Sequence, residues 1–130
     1  MNISDTLPKL LLLALAGACG TLARYWLSIG VHLTLGRGFP WGTAVVNLLG
    51  CLLFGLIWVL ADERQLLSPE VRGLLLVGFM GAFTTFSTFI YESGAFLEEG
   101  RFLPALANIV FQTVLGFVAL FGGFALGRLL

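Results

Sequence analysis

Gly78-Phe79-Met80-Gly81-Ala82-Phe83-Thr84-Thr85-Phe86-Ser87-Thr88-Phe89 lies within an apolar stretch that runs from Val71 to Leu97. Such a length suits a helix crossing a bilayer, whose hydrocarbon core of about 30 Å needs roughly 20 apolar residues. Its middle suits a helix poorly. Two glycines precede β-branched threonines, and a glycine alone costs about 1 kcal/mol relative to alanine in a helix. The sequence therefore predicts a membrane helix broken near its middle. Unwound backbone at membrane depth is tolerated only where protein buries it or where it lines a polar cavity, because its freed carbonyls need partners. A cation would serve. Broken membrane helices commonly turn such carbonyls toward sodium, and a break near the two-fold axis of a dimer would offer twice the oxygens.

Phenylalanines crowd the same segment. Phe79, Phe83 and Phe86 form a helical stripe that Ile90 continues, while Phe89 lies slightly off it. Stripes of this kind ordinarily pack. The functional alternative is that ring edges, the positive end of the aromatic quadrupole, face an anion that hydroxyl and amide donors also bind. Such a lining would hold a small anion without trapping it as a full positive charge would, which is what conduction requires.

Outward from this segment the chain keeps the same character. It has 130 residues, of which 58% are hydrophobic and 11% charged, with a formal net charge of zero. That composition excludes an ordinary soluble domain. Asp62, Glu63 and Arg64 interrupt the apolar sequence once, Glu98, Glu99 and Arg101 interrupt it again, and Arg37 between Gly36 and Gly38 marks a third gap. The expected fold is all-α and integral to the membrane, a single domain of four spans at about 10–35, 41–61, 71–97 and 103–129. Pro40, Pro69 and Pro104 fall near three helix starts, where a missing amide hydrogen costs little. Pro8 to Cys19 could alternatively be a signal peptide, with Lys9 as its basic flank. Against this, the apolar run continues past Cys19 through Leu22, Tyr25 and Trp26. Cys19 and Cys51 both fall inside spans and suggest neither a disulfide nor a metal site.

Lys and Arg near the span ends barely orient the chain. Lys9, Arg64, Arg72 and Arg128 lie on one side, and Arg37, Arg101 and Arg24 are assigned to the other. So balanced a distribution would allow insertion either way up, although a small protein has few charges in any case. Small residues at Ala16 and Gly20, at Ala119, Gly123 and Gly127, and at Gly50 and Gly55 give the helices surfaces for close association.

Among the polar groups within the spans, those that stand out are Arg24, Asn47, Thr84, Thr85, Ser87, Thr88, Glu92, Asn108, Gln112 and Thr113. Such groups are expensive in lipid and usually face a cavity or a partner. Asn108 and Gln112, four residues apart, share one helix face, which Gly116 continues. The plainest reading makes them interhelical glue, at about 1 kcal/mol each.

Three separated motifs resemble those of the Fluc, or CrcB, fluoride channels of microbes. They are Gly17-Ala18-Cys19-Gly20-Thr21-Leu22-Ala23-Arg24-Tyr25, then Gly42-Thr43-Ala44-Val45-Val46-Asn47-Leu48-Leu49-Gly50, and Thr84-Thr85-Phe86-Ser87-Thr88-Phe89. Their order and spacing extend the resemblance over essentially the whole chain. The resemblance implies a multi-pass protein of the cell (inner) membrane, an antiparallel dual-topology homodimer in lipid. It further implies two fluoride pores and a structural sodium ion at the dimer centre. By motif, Phe86 and Phe89 would meet fluoride with their ring edges, Asn47 would donate a hydrogen bond, and Ser87 and Thr88 would supply hydroxyls. The backbone carbonyls of Gly81 and Thr84 would hold sodium, and Arg24 would stand at a pore vestibule. Along the fourth span only a polar track carries over; Asn108 and Gln112 are its better candidates, with Thr113 behind them. Glu92 is expected at a mouth or in an ion pair, since a fixed carboxylate on the path would repel the anion.

Other readings compete. A small dual-topology multidrug exporter would need an acidic residue in helix 1, where this chain has Arg24. A membrane scaffold subunit leaves the hydroxyls and phenylalanines beside the break unexplained. The chain shows no signature of an enzyme: His32, its one histidine, stands near a helix end and is expected to be interfacial. Nothing in the sequence points to a nucleic-acid partner.

Overall fold

The computed structural model describes residues 3–130, which form an all-helical bundle. Its helices are α1 (Ile3–Leu35), α2 (Trp41–Trp58), α3 (Pro69–Gly73), α4 (Met80–Phe83), α5 (Phe86–Glu98) and α6 (Phe102–Leu129). Four stretches are long and apolar enough to cross a membrane: Thr6–Leu35, Trp41–Glu63, Pro69–Glu98 and Phe102–Leu129. The third contains α3, α4 and α5. Two wide π-type turns relax the helices, Val59–Glu63 at the end of the second span and Leu74–Phe79 between α3 and α4.

Connections are short and chemically specified. Gly36 closes α1 with φ +80°, and its N–H returns to the His32 carbonyl at 3.0 Å. Gly100 does the same between α5 and α6 with φ +71°, bonding the Leu97 carbonyl at 3.0 Å. Ser68 caps α3 by accepting from the Val71 N–H at 3.3 Å, with Pro69 at the first helical position.

α2 and α6 lie closest together, and glycines let them. A Cβ on Gly123 would strike the Leu52 carbonyl oxygen, one on Gly55 would strike the Leu120 carbonyl oxygen, and one on Gly127 would sit 2.8 Å from Val59 Cβ. On the opposite side α1 leans on the third span, where a Cβ on Gly20 would strike the Phe79 carbonyl oxygen and one on Gly78 would lie 2.9 Å from Ala16 Cβ. Several of the small residues expected to give the helices surfaces for close association thus do so within one chain. Between these contacts sits the buried cluster of Val46, Leu76, Met80 and Phe83, flanked by Leu27, Leu53 and Ile57. The outside of the bundle is apolar, as in Leu11, Leu15, Leu22 and Trp26 of α1 and Val114, Phe117 and Phe121 of α6. Lipid rather than water suits such an exterior.

Charges gather at the helix ends. Arg128 grips Glu63 with two bonds of 2.7 and 2.9 Å, Arg72 pairs with Asp62 at 2.6 Å, and Arg64 donates to the Gly127 carbonyl at 3.1 Å. These contacts tie the 62–72 connection to the last turn of α6. Arg24 stands elsewhere, well inside α1, and donates to the Thr84 carbonyl at 3.3 Å. It belongs to no loop, so the Lys and Arg near span ends divide four (Lys9, Arg64, Arg72, Arg128) to two (Arg37, Arg101).

Candidate functional site

Between α4 and α5 two residues leave the helix: Thr84 has φ −82° and ψ 161°, Thr85 φ −149° and ψ 115°. Threonine chemistry places the interruption. The Thr84 hydroxyl bonds back to the Met80 carbonyl at 3.0 Å, and Thr85 caps α5 by accepting from the Thr88 N–H at 3.2 Å. Gly78 and Gly81, which sequence reasoning took as co-authors of a break, remain in helical turns.

Asn47 of α2 satisfies the extended backbone. Its Oδ1 accepts from the Thr85 N–H at 2.9 Å, and its Nδ2 donates to the Thr85 carbonyl at 3.1 Å. A second Nδ2 bond reaches Gln112 Oε1 at 2.9 Å; Gln112 Nε2 donates to Asn108 Oδ1 at 2.8 Å, and Asn108 Nδ2 donates to Ser93 Oγ at 2.9 Å. Ser93 then donates to the Phe89 carbonyl at 2.8 Å. One polar line therefore joins α2, α6 and α5, starting and ending on the backbone of the Thr85–Phe89 segment. Asn108 is fully buried and Gln112 nearly so, which makes each bond in the line costly to leave unmade.

Beside this line opens a cavity of about 270 Å³, bounded by Asn47, Cys51, Phe86, Phe89, Gln112, Thr113, Gly116, Phe117 and Leu120. None of these side chains is charged. The rings of Phe86 and Phe89 are 5.9 Å apart and inclined at 49°; Phe89 is buried, whereas Phe86 is 76% exposed. A neighbouring cavity of about 280 Å³ shares Asn47, Cys51 and Phe86 and reaches Gly50, Phe54, Thr84 and Thr85.

The expected residues thus divide. Asn47, Phe86, Phe89 and Gln112 meet around one cavity, and Thr113, ranked behind its neighbours, also borders it. Asn108 lies off the cavity and connects Gln112 to Ser93. Ser87 and Thr88 are exposed and cluster with Thr85, whose hydroxyl donates to Thr88 Oγ1 at 2.9 Å. Arg24 stands at the break itself rather than beyond a span end. Glu92 accepts the Thr43 hydroxyl at 2.7 Å, its Oε2 is buried without a partner, and it makes no ion pair among the described residues. It borders a smaller cavity with His32, Arg37, Tyr91 and Glu99 at the α5–α6 end of the bundle. His32 directs Nδ1 at the Ser28 carbonyl, 2.8 Å away.

The carbonyls expected to hold a cation can be tested on this geometry. A continuous helix would send the Thr85 N–H to the Gly81 carbonyl; here that N–H goes to Asn47 instead. The Gly81 carbonyl is thereby released on an exposed face, while the Thr84 carbonyl receives Arg24 on one of its two lone pairs. Oxygen donors of this kind suit a hard cation such as sodium, with the Arg24 guanidinium on the same Thr84 oxygen as an opposing like charge.

Thr43 and Ser93 escaped sequence reasoning. Each had a periodic signal: Thr43 precedes Asn47 by four residues, and Ser93 follows Phe89 by four.

Comparison with known proteins agrees in extent with these motifs. The sequence profile of the family described as "CrcB-like protein, Camphor Resistance (CrcB)" matches residues 11–124. A relative from Solidesulfovibrio magneticus named "Fluoride-specific ion channel FluC" is 68% identical over 124 residues, covering 95% of this chain and 99% of its own. Bearers of the same name from Nitrosococcus oceani and Desulforapulum autotrophicum are 52% and 48% identical over 122 residues, each covering 94% of this chain and 98% of the relative. With four apolar spans, a polar line inside them and matches along nearly its entire length, the chain is a multi-pass membrane protein and belongs to the CrcB-like family.

Proposed function

We propose that the chain is a fluoride-selective channel that lets fluoride leave the cell passively, working as an antiparallel homodimer with two pores. The observation that carries this reading is the uncharged cavity where Phe86 and Phe89 meet the amides of Asn47 and Gln112. Fluoride is small and strongly hydrated, so a pore must replace its water with several donors at once. The spare Gln112 amide hydrogen and the aromatic ring edges can contribute without a fixed charge, while both Asn47 amide hydrogens are bonded within the protein. Relatives at 68% and 52% identity bear the name fluoride-specific ion channel.

The dimer is supported by what one chain leaves uncovered. Phe86, Ser87 and Thr88 are exposed in the middle of an apolar span, and exposed hydroxyls at membrane depth call for protein or a water-filled path beside them. A second copy related by a two-fold axis at the break would close the cavities beside Asn47. It would also add its own Gly81 and Thr84 carbonyls, giving a sodium ion four oxygens. That ion would supply positive charge and hold two broken helices together. The four-to-two division of basic residues gives antiparallel insertion less support than an even one would. Export follows from voltage: an interior negative by about 100 mV drives a monovalent anion outward by roughly 2.3 kcal/mol.

Liposomes containing the purified protein, loaded with fluoride or with chloride, test the reading directly. Rapid efflux of fluoride alone is expected. Phe86→Ile, which keeps bulk and removes the ring edge, is expected to slow it by about a hundredfold, the equivalent of roughly 3 kcal/mol at the barrier. Equal fluoride and chloride rates, or no fluoride flux from a folded protein, would remove this function.

A further inference from the structure

The polar line has two backbone ends of opposite and fixed polarity. The Thr85 N–H can only donate, and Asn47 Oδ1 accepts from it. The Phe89 carbonyl can only accept, and Ser93 donates to it. A hydroxyl has one proton, so Ser93, having given its own to Phe89, has only lone pairs for Asn108. Asn108 must therefore turn its Nδ2 toward Ser93, which leaves Oδ1 for Gln112. Gln112 must answer with Nε2 and keep Oε1 for Asn47. Reasoning from Thr85 in the other direction gives the same orientations. The two ends concur, and each amide is held in one of the two orientations open to it.

A count of amide hydrogens then separates residues that sequence treats alike. Asn47 Nδ2 carries two, one given to the Thr85 carbonyl and one to Gln112 Oε1. Both are committed. Gln112 Nε2 also carries two, but only one is used, on Asn108 Oδ1. The second has no acceptor among the described residues, and Gln112 borders the cavity with Phe86 and Phe89. Asn108 likewise keeps a spare hydrogen, but it is fully buried away from that cavity.

We propose that Ser93 is a positioning residue for anion conduction: by fixing the direction of the amide line it keeps the spare Gln112 Nε2 hydrogen, and not an amide oxygen, available to the cavity between Phe86 and Phe89. This rests on the channel reading and deepens it. Ser93 touches no ion and is 3% exposed. Without its hydroxyl, Asn108 loses the acceptor that holds its Nδ2 and can turn over. Gln112, which still meets an Asn47 held by Thr85, is then fixed from one side only, and its spare hydrogen faces the cavity for a smaller share of the time.

Fluoride efflux from liposomes, measured for Ser93→Ala, Gln112→Met and the double variant, provides the test. Ser93→Ala is expected to slow efflux about tenfold, the kinetic equivalent of one hydrogen bond's net worth. In the Gln112→Met background, already slow, the same change is expected to cost nothing further, because the group that Ser93 orients is gone. A purely structural serine would lower flux equally in both backgrounds, and that result overturns the proposal, as does full-speed efflux from Ser93→Ala. Asn108→Ala cuts the same link from α6 and is expected to repeat the pattern, which keeps the test intact if one variant folds poorly. Absence of fluoride flux from the unmodified chain would remove the channel reading itself.

Discussion

Asn47→Ala is expected to abolish measurable fluoride flux and to lower the thermal midpoint of the purified protein in detergent. Three hydrogen bonds end on this one side chain, two to Thr85 and one to Gln112. Their removal leaves the Thr85 N–H, the Thr85 carbonyl and Gln112 Oε1 without these partners in a span with no bulk water. Each unpaired buried group costs about 1–3 kcal/mol, so a loss of about 3 kcal/mol or more is expected even if the break partly rewinds. A rewound α4–α5 junction would return the Thr85 N–H to Gly81 and move Phe86 away from the cavity, which is why flux and stability are expected to fall together. Asn47→Asp keeps the oxygen that accepts from Thr85 but loses both Nδ2 bonds, to the Thr85 carbonyl and to Gln112 Oε1, and adds a carboxyl group whose charged form is expensive in a span, so it is expected to fail to conduct as well. Wild-type flux from Asn47→Ala would show that the polar line has no part in permeation.

Gly123→Val is expected to prevent α2 and α6 from closing. A Cβ at this position would strike the Leu52 carbonyl oxygen and lie 2.8 Å from the Leu56 nitrogen, both backbone atoms of α2 that no rotamer change can clear. Overpacking typically costs about 1–3 kcal/mol, and a clash with helix backbone belongs at or beyond the upper end. Loss of monodisperse protein on size exclusion is the expected reading. Gly94→Ala serves as control. Nothing lies within 4 Å of a Cβ there, and alanine is the better helix former by about 1 kcal/mol, so that variant should fold at least as well as the unmodified chain. The α2–α6 contact also aligns Asn47 with Gln112, so Gly123 acts on the polar line through spacing alone.

The four spans were legible in the sequence because hydrophobic length is a one-dimensional property. A bilayer needs a run of apolar residues, and Asp62, Glu63, Glu98, Glu99 and Arg101 punctuate such runs plainly. Residue type also marked Asn47, Phe86 and Gln112 as unusual, since amides in a span stand out and aromatics recur at helical spacing. Periodicity could pair Asn108 with Gln112 within one helix, yet it could not say that one borders a cavity while the other is sealed behind it.

Tertiary structure decided what those side chains touch. Asn47 meets Thr85 across 38 residues of sequence and Gln112 across 65, and no local pattern encodes such contacts. It also moved Arg24 from span end to helix break and showed that most of the small residues pack within one chain. The exact residues that unwind, Thr84 and Thr85, were chosen by partners: a hydroxyl bonding back one turn, a cap on the next helix and an amide from α2. Sequence determined that this chain lies in lipid and carries a few polar groups there. Only the packed helices determined where those groups point, because a hydrogen bond's direction belongs to both of its partners.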